Sequence, residues 1–315
     1  MTDGPWPYVA LFALGLGWGV TIPLAKLAVS TGHQPMGLIF WQLVIVVLFL
    51  GVVTWLRGKR LVLSRPYLRL FVMVALFGAV LPDIFYYLSA IHLPGGIMSI
   101  VAATSAMFSL PIALALGNET FEMRRLVGLI FGFAGVVLLV APEASLPAGT
   151  SAVFVLLALL APALYATEGN LVMKWGTQGL DPLQVVVGAS MVGLVFAAPL
   201  AWVSGQWVNP LAAFGVAEIA LIVGAALHAL VYAAYVWLVG RAGSVFAAQS
   251  SYIVTASGVL TSMVMLNERY SIWVWLALVV MLLGMFLVQP RAARVLVPAR
   301  AMGDTVAGAE RGAQE

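Results

Sequence analysis

The chain has no cysteine among its 315 residues, which excludes disulfides and thiolate-held metals. Charge is scarce too: Asp, Glu, Lys and Arg together make up 9%, where a soluble domain carries about 25%. Several chemical motifs are also missing. There is no GxxxxGK[ST] loop for a nucleoside triphosphate, no HExxH pair for zinc and no GxSxG elbow for a nucleophilic serine. Neither an enzyme nor a cofactor is therefore expected. Gly15-Leu-Gly-Trp-Gly is glycine-rich but follows no strand, so it reads as helix packing or flexibility rather than a dinucleotide loop. The net charge of +3 does not point to nucleic acid, because the basic residues lie in short connectors rather than on one face.

What is present is apolar. Hydrophobic residues make up 63% of the chain and the mean hydropathy is +1.07, which places it in lipid. Ten apolar runs can be read: 7–29, 37–56, 68–91, 95–116, 124–141, 151–174, 182–203, 214–239, 243–265 and 271–289. Most approach the roughly 20 residues a helix needs to cross the hydrocarbon core. All are read as helices, since an open sheet leaves backbone groups unsatisfied in lipid. The first run is too long, and lacks the basic start, for a signal peptide. The fold class expected is an all-α polytopic membrane protein.

Starting the chain in the cytoplasm puts thirteen of the fifteen Lys and Arg residues inside, from Arg57, Lys59 and Arg60 through to Arg311, and only Lys26 and Arg269 outside. That asymmetry fixes the orientation by the positive-inside rule, with both termini cytoplasmic. Residues 1–6 form a short cytoplasmic lead, and 290–315, rich in Ala, Gly and charge, read as a disordered tail.

Asn118-Glu119 recurs as Asn267-Glu268, 149 positions later, each pair closing an apolar run and each followed sixteen residues on by a glycine, Gly135 or Gly284. The same shift lays Pro94-Gly95 on Gly243-Ser244 and the apolar runs on one another. The reading is two five-helix repeats, 7–141 and 142–289. An odd number of spans in each inserts them with opposite topology, the inverted repeat of many secondary carriers.

With these residues in view the sequence resembles the drug/metabolite transporter superfamily, in particular the ten-span carriers built from two EamA-type halves. The resemblance rests on Gly17-Trp18-Gly19 with Lys26, on Gly117-Asn118-Glu119, on Asn267-Glu268, and on glycines 128, 132, 135 and 284. Members often carry a proline thirteen residues before each glutamate; here those positions hold Ala106 and Thr255, with Pro111 nearby. The resemblance implies a bacterial inner-membrane carrier that exports an amino acid, a similar metabolite or a toxic organic compound, driven by protons.

An ionisable group inside a span costs about 2.5 to 3.5 kcal/mol on insertion scales, so it marks a pathway or a pair. Asp83 follows Pro82 in mid-span, where a proline frees backbone carbonyls; it is a substrate or proton site, or a protonated acid satisfied by a neighbouring helix. His228 lies in the corresponding eighth run, one turn from Tyr232, onto which Asp83 falls under the shift. It is a proton carrier facing Asp83 across a cavity, or a histidine bonded within the bundle. Glu168 binds a substrate amine, takes part in proton coupling or pairs with Lys174. Trp18, Tyr86, Tyr87, Tyr165, Tyr232, Tyr235 and Trp237 share these spans and form a wall for an amphipathic or cationic solute, or ordinary filling. Lys26 snorkels, and Glu119 and Glu268 hold helix-end turns. Glu143, Asp181 and Glu218 read as solvated loop acids. The expected partners are a small organic solute, protons and the bilayer. The alternatives are a facilitator or exchanger for anionic metabolites or vitamins, which needs more buried cations, and a receptor or scaffold with no transport cycle.

Overall fold

A computed structural model describes residues 5–61, 63–141, 146, 150–209, 214–242 and 244–289. Glu143 and the tail from 290 onward lie outside these residues, as does most of the N-terminal lead. The described chain is helical throughout, with no strand among the described residues.

In the first half α1 (Trp6–Ala28) and α2 (Pro35–Leu56) are continuous, and α3 (Arg65–Ala75) passes through a π turn at Leu76–Val80 into α4 (Leu81–His92). Next come α5 (Gly95–Ala102), α6 (Ser105–Leu116) and α7 (Met123–Val140). The second half holds α8 (Ala152–Ala158), α9 (Leu160–Trp175), α10 (Pro182–Val203), α11 (Val216–Ala242), α12 (Ser244–Ala248), α13 (Ser250–Leu266) and α14 (Ile272–Val288). Eight helical segments among the described residues are long and apolar enough to cross a membrane, and Ile272–Val288 is a shorter apolar helix.

The interruptions have local causes. Pro82 has no N–H to offer the carbonyl of Gly78, and its ring crowds that turn; the helix widens into the π turn just before it. Pro162 deprives Ala158 of a donor in the same way, and α8 gives way to α9 at Leu159. The fourth run bends at residues 103–104, where Thr104 Oγ1 donates to the Val101 carbonyl at 2.6 Å, the kind of local side-chain bond that competes with a helix ladder. Pro111 sits inside α6 without breaking it.

Packing pairs the halves. α7 lies along α14 and α2 along α10; α1 packs against α11 and α13, while its counterpart α8–α9 packs against α3–α4 and α6. Exchanging the halves returns the same set of neighbours, as two repeats require. The molecule is also inside out relative to a soluble protein. Asp83, Arg125, Asn170 and Ser257 are buried, whereas Trp55, Val203 and Val264 are 73%, 85% and 81% exposed. That outer surface is at home only against lipid.

Close helix contacts rest on small residues, since lipid supplies no hydrophobic drive between helices. Gly15 and Gly19 let α1 approach α13 so closely that Ser257 Oγ donates to the Gly15 carbonyl at 3.1 Å. The glycine cluster of α1 is thus helix packing. Where α7 meets α14, a methyl group on Gly284 would sit 2.7 Å from the Gly132 nitrogen and 2.9 Å from the Gly128 carbonyl oxygen. Backbone cannot yield as a side chain does. Gly284→Ala is expected to lower unfolding stability by about 1–3 kcal/mol, read as a lower midpoint in detergent. Gly51→Ala, where nothing lies within 4 Å of the added carbon, is expected not to lower it.

Candidate functional site

The π turn before Pro82 and the proline itself aim Asp83 at the centre of the bundle. Its Oδ2 accepts from Gln42 Nε2 at 2.8 Å, and its Oδ1 accepts from the Tyr165 hydroxyl at 2.7 Å. Gln42 is held in turn by the Tyr87 hydroxyl, which donates to its Oε1 at 2.5 Å. Three helices, α2, α4 and α9, are therefore tied through one carboxylate. Asp83 is 6% exposed, and each of its carboxyl oxygens has a hydrogen-bond partner, as a buried polar group requires.

Glu168 is served differently. Among the described residues it makes no hydrogen bond or ion pair, because Lys174 turns instead to the carbonyl of Leu116 at 3.0 Å. The Glu168 side chain lies against the π turn, 3.0 Å from where a methyl group on Gly78 would be. On the other side, His228 Nδ1 accepts from Trp18 Nε1 at 3.0 Å, and the two rings meet edge to face with centroids 5.8 Å apart.

These groups surround a single cavity of about 440 Å³, within the range that holds small organic ligands. Trp18, Gln42, Asp83, Tyr86, Tyr87, Tyr165, Glu168, His228 and Tyr232 all line it, so both halves contribute wall. None of the lining residues is a lysine or arginine. Two aromatics singled out in the sequence do not line the cavity: Tyr235, which stands behind Trp18 with ring centroids 5.5 Å apart, and Trp237. Asp83 and His228 share the void but belong to separate hydrogen-bonded groups.

A family model described as the EamA-like transporter family matches this chain twice, over residues 5–141 and 152–289. The chain belongs to the EamA-like transporter family. It is accordingly a multi-pass membrane transporter of the drug/metabolite kind, one of a family whose members are in general not enzymes. A solved structure titled "Crystal structure of protein" is similar in fold: it aligns at 17% identity with a TM-score of 0.60, covering 90% of this chain and 96% of that one. No curated protein matches.

The remaining charged residues of this EamA-type chain work at helix ends. Lys26 donates to the carbonyls of Ala90 and Ile91 at 2.5 and 3.1 Å, placing a cation on the negative C-terminal end of α4. Glu119 accepts from Arg125 at 2.6 Å. Glu268 crosses between the halves, accepting from the Gly95 and Gly96 nitrogens at 2.8 and 3.2 Å and from the Tyr270 hydroxyl. It therefore caps α5, and burial beside this carboxylate holds the Tyr270 phenol well above its ordinary pKa. Two acids read as solvated are engaged instead. Asp181 caps α10 and takes the Arg57 guanidinium in a two-pronged pair at 3.1 and 3.2 Å. Glu218 meets His33 at 2.5 Å. These partners are far away in the chain, beyond the reach of spacing.

Gln42 was not singled out in the sequence, being neither ionisable nor aromatic; a lone amide inside an apolar run is the signal that marks it. Because it bridges Tyr87 and Asp83, the loss of either contact leaves the other group stranded. Gln42→Leu and Tyr87→Phe are expected to couple by about 0.5–3 kcal/mol in a double-mutant cycle of unfolding stability. Purely additive effects would show that the bridge is not formed.

Proposed function

We propose that this transporter is a secondary carrier of the bacterial inner membrane. It would span the bilayer ten times in two inverted five-helix repeats, 7–141 and 142–289, with both termini cytoplasmic, and export a small organic metabolite by proton-coupled alternating access. The observation that carries this reading is a central cavity walled by both halves, with two carboxylates and no Lys or Arg in its lining. Such a wall suits a solute bearing an amine, an amino acid or a related compound, and disfavours anionic metabolites, since Lys26 is spent on the end of α4.

Roles follow from the partners. Glu168, with no protein donor, is the counter-ion for the solute amine, and the faces of Trp18, Tyr86 and Tyr232 receive its apolar part or its charge. Asp83 is the proton site: proton uptake removes its need for two donors and loosens the tie between α2, α4 and α9. His228, turned by Trp18, shapes the opposite wall and is a second place for a proton. The bilayer, a proton gradient and the solute are the only partners this cycle needs, and a scaffold has no use for such a void.

Transport in proteoliposomes tests the reading, with candidate amino acids and amines supplied as solutes. A pH gradient is expected to accelerate wild-type flux, and Asp83→Asn to abolish that dependence. Glu168→Gln is expected to weaken apparent affinity for an amine roughly tenfold, about the worth of one hydrogen bond to a charged group. Wild-type flux that ignores the pH gradient, with both variants moving solute as the wild type does, would end the proposal.

A further inference from the structure

A second void lies away from the transport cavity, between α2 and α11 where each reaches the side that the Lys and Arg distribution makes cytoplasmic. It has a volume of about 580 Å³ and is lined by Val53, Leu183, Ala233 and Val236 with Arg57, Trp237 and Arg241. Val46, Leu50 and Val187 form an apolar block behind it, with Tyr232 packed against them, and separate it from the central cavity. Trp237 is half exposed, and the Arg241 guanidinium lies 6.0 Å from its ring centroid. Among the described residues Arg241 makes no ion pair. Arg57 is neutralised by Asp181, so the mouth keeps a net positive charge.

We propose that this groove binds an anionic phospholipid, its phosphate on Arg241 and the outer face of Arg57, its glycerol against Trp237, and an acyl chain along Val53 and Val236. Charge complementarity picks the occupant: an apolar trough opening to lipid accepts any chain, but the unpaired Arg241 guanidinium beside the Arg57–Asp181 pair at its mouth selects a phosphate-bearing head with net negative charge. The repeat supplies a comparison within the molecule. Under the 149-residue shift Arg57 falls on Gln206, Arg241 on His92 and Trp237 on Leu88. The equivalent place at the other end of the bundle therefore has the scaffold without the cations. Anionic lipid is concentrated in the cytoplasmic leaflet, which is where the orientation proposed above puts the pair.

The test uses the full chain, purified in detergent and stripped of lipid. Binding is read by native mass spectrometry and by the thermal midpoint as phosphatidylglycerol or phosphatidylcholine is added. Phosphatidylglycerol is expected to bind and raise the midpoint, and phosphatidylcholine not to. Arg241→Gln, at an exposed side chain, is expected to weaken phosphatidylglycerol binding roughly fivefold, the worth of one basic residue at an anionic surface. Asp181→Asn keeps a capping side chain on α10 and frees Arg57, so it is expected to tighten binding. Inorganic phosphate and glycerol 3-phosphate form a separate arm. The lipid site is overturned if Arg241→Gln binds like the wild type, if the two lipids bind alike, or if either soluble phosphate reproduces the full shift.

Discussion

A carboxyl group inside an apolar bundle has to be hydrogen-bonded, paired, wet or protonated, because leaving it bare and charged in a low-dielectric interior costs several kcal/mol. This chain meets that constraint in two ways within one cavity. Asp83 is satisfied by protein, through Gln42 and Tyr165. Glu168 is not, and its stability depends on there being space beside it for water or a ligand cation. Filling the void with larger side chains would strand Glu168, so cavity and carboxylate imply each other. The same reasoning places the fixed donors of Asp83 where they join three helices: any event that alters its charge is felt by α2, α4 and α9 together.

The scaffold can afford a void at its centre because the contacts around it are so close. Lipid does not drive helices together, and association depends on van der Waals contact and on polar groups reaching across. Glycines on α1, α7 and α14 supply the first, and Ser257 and Glu268 the second. The breaks at Pro82 and Pro162 fall in adjoining helices that line the cavity, those that carry Asp83 and Glu168. Irregular backbone is tolerated at membrane depth only where it lines a cavity or is buried in protein, so the interrupted helices and the polar site coincide for one reason.

Much of this was legible beforehand. The long apolar runs and the 149-residue period describe the class of fold, because the bilayer imposes length and regularity on any chain that crosses it. The residues around the cavity were legible for the same reason: Asp83, Glu168 and His228 are expensive where they stand, and expense marks a site. Gln42 escaped notice because an amide is cheaper and carries no such mark. Tyr235 was misplaced by helical spacing alone, which puts it on one face with His228 but says nothing of Trp18 lying between it and the void. The partners of Asp181, Glu218 and Glu268 come from the other half of the chain, so only the assembled bundle reveals them.

The repeat supplies a frame, and the substitutions within it supply direction. Asn118-Glu119 and Asn267-Glu268 occupy matching places, yet Gly117 takes the left-handed turn in the first half and Asn267 takes it in the second. Glu119 pairs with Arg125, which the shift replaces by Val274; Glu268, lacking a cation there, reaches the Gly95 and Gly96 amides and the Tyr270 hydroxyl, which the shift replaces by Phe121. At one end of the bundle the glutamate stays within its own half, and at the other it locks the two halves together. Asp83 is matched by Tyr232, so protonatable chemistry also falls unevenly on an even frame. Here the two ends differ in which side chains join the halves: Glu268 on the α5 amides at one, and Arg124, Arg125 and Asn118 reaching Gln289, Val288 and Asn170 at the other.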